Sequence, residues 1–87
     1  MEFRWDEWNL DHVFKHGVSP QEAERVVKSA RRPYPREIGD EKLIVRGQGT
    51  GGRYIQVIYL LDLDGTAFVI HARPLNRREK HRFRKGR

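Results

Sequence analysis

Cysteine is absent from the 87-residue chain, and that absence removes disulfides, thiolate nucleophiles and cysteine-ligated zinc together. No apolar run approaches the roughly 20 residues that a membrane-spanning helix needs. The opening MEFRWDEWNLDH lacks the basic-then-apolar plan of a secretory signal, so a cytoplasmic protein is expected. Internal repeats and long linkers are missing as well. A single domain over residues 1–87 is therefore expected, since domains usually hold about 50–250 residues. A core this small leaves little stability in reserve, which makes a partner or a homodimer a natural source of more.

What the chain does have is charge, unevenly placed. The net charge is +6, yet residues 1–72 hold 10 Lys or Arg against 11 Asp or Glu, whereas residues 73–87 hold eight basic residues against Glu79 alone. Clustered cations displace counterions from phosphates, so segment 73–87 points to a polyanion, and RNA is the partner expected. The plainer alternative is a solvated helix that only keeps the protein soluble.

Local signals divide the chain into an α+β order. Phe3-Arg4-Trp5 suits a short opening strand, and Asp6 suits the N-cap of a helix whose Trp8, Leu10, Val13 and Phe14 would cover one face, ending at His16-Gly17. Ser19-Pro20-Gln21-Glu22 is a capping-box signature. Behind it Ala23, Val26, Val27 and Ala30 form an inward stripe. Arg32-Pro33-Tyr34-Pro35 forces extended backbone. Strands are expected at 42–46, 53–62 and 66–73, with the glycines of 47–52 and Asp64-Gly65 as turns. Asn76-Arg77-Arg78-Glu79 opens a basic C-terminal helix anchored by Phe83. The expected architecture is two N-terminal helices, an antiparallel sheet of three or four strands, and that helix.

Two constellations could carry chemistry. On an ideally alternating strand, Ala67, Val69, His71 and Arg73 share one face and Thr66, Phe68, Ile70 and Ala72 the other. With helices on the Thr66 face, His71 and Arg73 stand on the open side, where Arg can grip phosphate while His moves a proton. The plainer reading packs His71 on the sheet and pairs Arg73 with an acid. The second constellation is His12 and His16, four apart on one helix face, with Asp11 and Lys15 beside them. Such spacing can bind zinc, but no HExxH pattern or third ligand accompanies it, so no metal is expected. A proton-transfer role suits His16 better, with Lys15 offsetting charge on phosphate, although His16 at a helix C-terminus is also favoured by the helix dipole. Glu79 is a candidate general base and, three residues after Asn76, a candidate capping residue.

Taken together, Phe3-x-Trp5-Asp6, Lys15-His16-Gly17-Val18-Ser19 with Glu22-Ala23, Gly52-Arg53-Tyr54, and Ala72-Arg73-Pro74-Leu75-Asn76-Arg77-Arg78-Glu79 resemble the BrnT family, toxins of type II toxin–antitoxin systems. Trp8-Asn9-x-x-His12 looks like a branch of it. The chain departs from its best-known members at Pro20-Gln21, across 34–41, and at His71. The resemblance implies a RelE-like fold, a metal-independent endoribonuclease without cofactor that inhibits translation, and a small DNA-binding antitoxin as cognate partner. It also implies Lys15, His16, Arg53, Arg73 and Glu79 as catalytic positions.

The expectation is therefore cleavage by the ribose 2′-hydroxyl. His16 or His71 would shuttle the proton, Arg53 and Arg73 would hold the phosphate, and Arg77, Arg78, Arg82 and Lys85 would track the RNA backbone. The rival expectation is a non-catalytic module of the same fold that binds RNA, the ribosome or the antitoxin. A DNA-binding accessory is a third, although the first two helices do not make a convincing helix-turn-helix.

Overall fold

The computed structural model describes residues 1–85, so Arg87, the last cation of the basic segment, lies outside the described residues. The elements run β1 (Phe3–Arg4), α1 (Glu7–Phe14), α2 (Pro20–Lys28), β2 (Arg36–Glu37), β3 (Leu43–Gln48), β4 (Tyr54–Leu61), β5 (Ala67–Pro74) and α3 (Arg77–Lys85). The fold is α+β. The sheet is larger than expected and mixed, with strand order β1-β5-β4-β3-β2. Its centre, β3-β4-β5, is antiparallel as the hairpin turns require, but two-residue strands extend both edges and β1 runs parallel to β5. Strands that short carry too little alternation to be legible in sequence.

Each helix starts where its capping chemistry says it should. Asp6 accepts from the Asn9 N–H, and the Asn9 side chain accepts from the Asp6 N–H at 2.7 Å. Ser19 Oγ accepts from Glu22 N–H with Pro20 in the first helical position. Asn76 and Glu79 cap each other's backbone N–H at 2.9 Å. Each such cap contributes about 1 kcal/mol. After α1 the chain turns at Gly17, whose φ of +74° favours a residue without Cβ.

One face of the sheet is covered. Val45 from β3, Ile55, Val57 and Tyr59 from β4, and Ala67, Val69 and Ala72 from β5 pack against Val13, Val18, Ala23, Val26 and Val27. Burying each Val or Ile contributes roughly 1.5–3 kcal/mol. The helix α1 departs from its expected face. It lies along β5 and buries a narrow stripe of Asn9 and Val13, leaving Trp8 and Phe14 half exposed. Asn9 is fully buried yet satisfied, because its amide also donates to Arg4 O at 3.0 Å and so joins β1 to α1.

Strand β5 does not alternate ideally. Ile58 pairs with His71 and Tyr59 with Val69, so Ile70 is an extra residue, a β-bulge. Beyond the bulge the faces exchange. Ala72 therefore joins Ala67 and Val69 on the covered face, while His71 and Arg73 share the opposite face with Phe68. The expected grouping of Ala67 and Val69 with His71 is thus corrected, because pairing with β4, not local alternation, sets the orientation.

Candidate active site

The open face carries two rows across the three central strands. Arg46 of β3, Gln56 of β4 and Arg73 of β5 lie side by side in register, and Ile44, Ile58 and His71 form the next row. Arg46 Nε donates to Gln56 Oε1 at 3.0 Å, which fixes the guanidinium flat along the sheet. Over this row sits the first turn of α3, and Glu79 reaches down from it. Arg73 Nη1 and Nη2 donate to the two Glu79 oxygens at 2.8 and 2.7 Å, and Arg46 Nη2 approaches Oε2 at 3.5 Å.

One carboxylate is thus shared by two guanidinium groups and the N-terminus of a helix. Arg73, followed by the Asn76 N–H, holds the Glu79 carboxyl down to about 2 from an ordinary 4.5. A group that acidic is a poor proton acceptor at neutral pH, so Glu79 is a capping and positioning residue and not a general base. Arg73 Nε and Arg46 Nη1 keep no hydrogen-bond partner among the described residues. Two donors therefore face outward for an incoming anion.

Beside Arg73 stand two imidazoles. His71 is half-buried, and His16, on the turn after α1, is exposed. Their ring centroids are 5.6 Å apart with planes inclined at 59°. Burial lowers the His71 pKa from its ordinary value, with Arg73, His16 and His12 adding in the same direction. His71 is therefore neutral at physiological pH, free to accept a proton. The bulge at Ile70 turns His71 toward the helix α1 end, and Gly17 ends that helix where His16 can meet it.

His12 is turned to a different use. Its ring stacks on Trp8 with centroids 3.9 Å apart, and Nδ1–H donates to Trp8 O at 2.7 Å. Among the described residues no group of three or more His, Cys, Asp or Glu is placed to hold a metal ion.

The remaining expected site residues are placed elsewhere. Lys15 is exposed as the C-cap of α1, beside His16 in sequence. Arg53 is not brought to the group. Its Nε and Nη2 donate to Glu22 at 3.0 and 2.6 Å, and Nη2 also donates to Gly17 O at 2.6 Å. That bidentate pair is internal: the Glu22 side chain is 5 % exposed, and a Cβ on Gly49 would lie 2.6 Å from it. Arg77, Arg78, Arg82 and Lys85 are all exposed on α3. Arg46 and Gln56 belong to the site although sequence reasoning passed over them. The only signal for them was polar residues inside apolar strands. No known protein family, curated protein or solved structure matches the chain.

Proposed function

We propose that the chain is an endoribonuclease toxin that cuts RNA without a metal ion and so inhibits translation. The observation that supports this most is the His16–His71 pair beside Arg73. Neutral His71 accepts the proton of a ribose 2′-hydroxyl as its oxygen attacks the adjacent phosphorus. The imidazolium form of His16 gives a proton to the departing 5′-oxygen. The products are a 2′,3′-cyclic phosphate and a 5′-hydroxyl. Arg73 Nε and Arg46 Nη1 stabilise the extra negative charge on the phosphoryl oxygens. The short motifs shared with BrnT support a RelE-like arrangement and a small DNA-binding antitoxin that masks the toxin. A gene for such a protein beside this one is the expected genetic context.

The test is incubation of the purified chain with RNA in EDTA, alone and in a cell-free translation mixture, followed by analysis of the product ends. Cyclic phosphate ends are expected, with the rate down about 100-fold in Arg73→Ala. Cleavage that stops on chelation, or that survives Arg73→Ala unchanged, contradicts the proposal.

One observation favours a second reading, a non-catalytic module that binds RNA, the ribosome or the antitoxin. Both terminal nitrogens of Arg73 are already occupied by Glu79. That reading expects salt-sensitive RNA affinity and no turnover.

A further inference from the structure

A second feature lies away from the histidines, at the other end of the sheet. The C-terminal half of α2, the connection 31–36, β3 and α3 enclose a cleft of about 780 Å³. Six arginines line it, Arg25, Arg31, Arg32, Arg36, Arg46 and Arg82, and they come from all four walls. Glu24 is the only acid in the lining. It is already engaged, accepting from Trp5 Nε1 at 2.8 Å and lying 3.8 Å from Lys28 Nζ. Among the described residues Arg25, Arg31, Arg32, Arg36 and Arg82 have no ion pair.

Acids that would balance them are held elsewhere. Asp62 is bound by Arg4 at 3.0 Å, and Asp6 and Asp64 also face Arg4. The near-zero charge of residues 1–72 therefore hides a separation into an acidic and a basic side. Holding so many cations around one hollow is unfavourable unless an anion fills it.

We infer that this cleft binds single-stranded nucleic acid, phosphates on the arginines and a base against the Tyr34 and Phe83 rings. Arginine forks match phosphate in two places, which suits six arginines better than a lysine-rich surface would. Tyr34 and Phe83 form part of the lining, half-buried, with centroids 6.2 Å apart and planes inclined at 34°. An aromatic wall among cations holds an unstacked base, and single strands offer such bases while duplexes do not. Arg46 links the cleft to the site already described, because it lines the one and contacts Gln56 and Glu79 in the other. From Arg46 to Arg73 is two strand spacings, roughly 10 Å, so one strand of RNA can occupy both. The inference rests on the ribonuclease reading for the choice of RNA, but the cleft requires no cleavage.

The test uses the full chain carrying His71→Ala, so that binding is read without turnover. Anisotropy of a labelled single-stranded RNA 10-mer is followed as salt is varied, with an RNA duplex and polyglutamate as competitors. Replacing Arg25→Gln and Arg32→Gln, both exposed, is expected to weaken binding about 10-fold or more and to lower the salt slope by about 2, one per lost phosphate contact. Tyr34→Leu is expected to weaken it about fivefold or more through lost stacking. Arg77→Gln with Arg78→Gln, outside the cleft, is expected to change affinity less than the cleft pair does. The inference is overturned if the cleft pair binds like the parent, or if duplex or polyglutamate competes better than single strands. Cleavage by the chain with native His71 is measured in parallel. Binding that depends on the cleft without any cleavage removes the nuclease reading and leaves the cleft. Cleavage with no dependence of binding on the cleft does the reverse.

Discussion

Two arginine–glutamate pairs of nearly the same geometry do different work in this molecule. Arg53 and Glu22 meet through two hydrogen bonds of 2.6 and 3.0 Å, and Arg73 and Glu79 through two of 2.7 and 2.8 Å. The first is closed. Glu22 is buried in α2, Gly49 leaves room for it, and Arg53 spends its spare donor on Gly17 O at the turn between the helices. One charge meets one charge, and both serve to hold α1, α2 and β4 together. The second is open. Glu79 answers two arginines at once, outward-facing donors remain, and two imidazoles adjoin it. Pair geometry alone does not separate a fold-stabilising ion pair from a functional one; the local charge balance does.

Breaking the closed pair has the largest expected effect on stability. Arg53→Met strands the buried Glu22 carboxylate and is expected to cost about 3 kcal/mol in urea unfolding. Gly49→Ala drives a Cβ into the Glu22 side chain and is expected to cost about 1–3 kcal/mol by the same measurement. The open pair responds differently. Arg73→Met is expected to remove only about 1 kcal/mol of stability, because the pair is part-exposed.

The pH dependence sharpens the contrast. Glu79 has its carboxyl held at about 2 against an ordinary 4.5, so its stabilisation is fully present above pH 4.5 and is lost as pH falls from there toward 2. Thermal unfolding across that range should show a loss of about 1–2 kcal/mol, and Glu79→Gln should remove that part of the slope. The smallest effect belongs to His71. Its pKa is lowered in the fold, so its contribution is complete above pH 6.5 and declines as pH falls below it. NMR titration of the His71 ring should show a midpoint below that of a solvent histidine, rising in Arg73→Met.

The parts of this structure legible in sequence are those set by neighbours along the chain. Asp6, Ser19 and Asn76 each cap a helix because a cap needs only the next three residues. The stripe of Ala23, Val26 and Val27 faces inward because 3.6-residue periodicity is local too. What pairing decides was not legible. The bulge at Ile70 reverses the faces of β5, and only the register with β4 reveals it. Trp8 and Phe14 suggested a broad buried face, yet α1 rides β5 beyond the two-residue β1 and buries only a stripe. The basic cleft escaped notice because arginines from four elements converge there while residues 1–72 nearly balance in charge. His71 and Arg73 were legible as a pair, two apart on one strand, although His16 joins them only through the fold.

The central claim is that His71 and His16 move protons for attack by a ribose 2′-hydroxyl. The measurement that tests it most directly compares cleavage of one RNA with its fully 2′-O-methyl counterpart, in EDTA, by the parent chain and by His16→Ala and His71→Ala. The expected result is cleavage of the RNA by the parent chain alone, none of the methylated strand, and a loss of about 100-fold or more in each histidine variant with the fold retained. Cleavage of the methylated strand, or a His71→Ala protein as active as its parent, would contradict it.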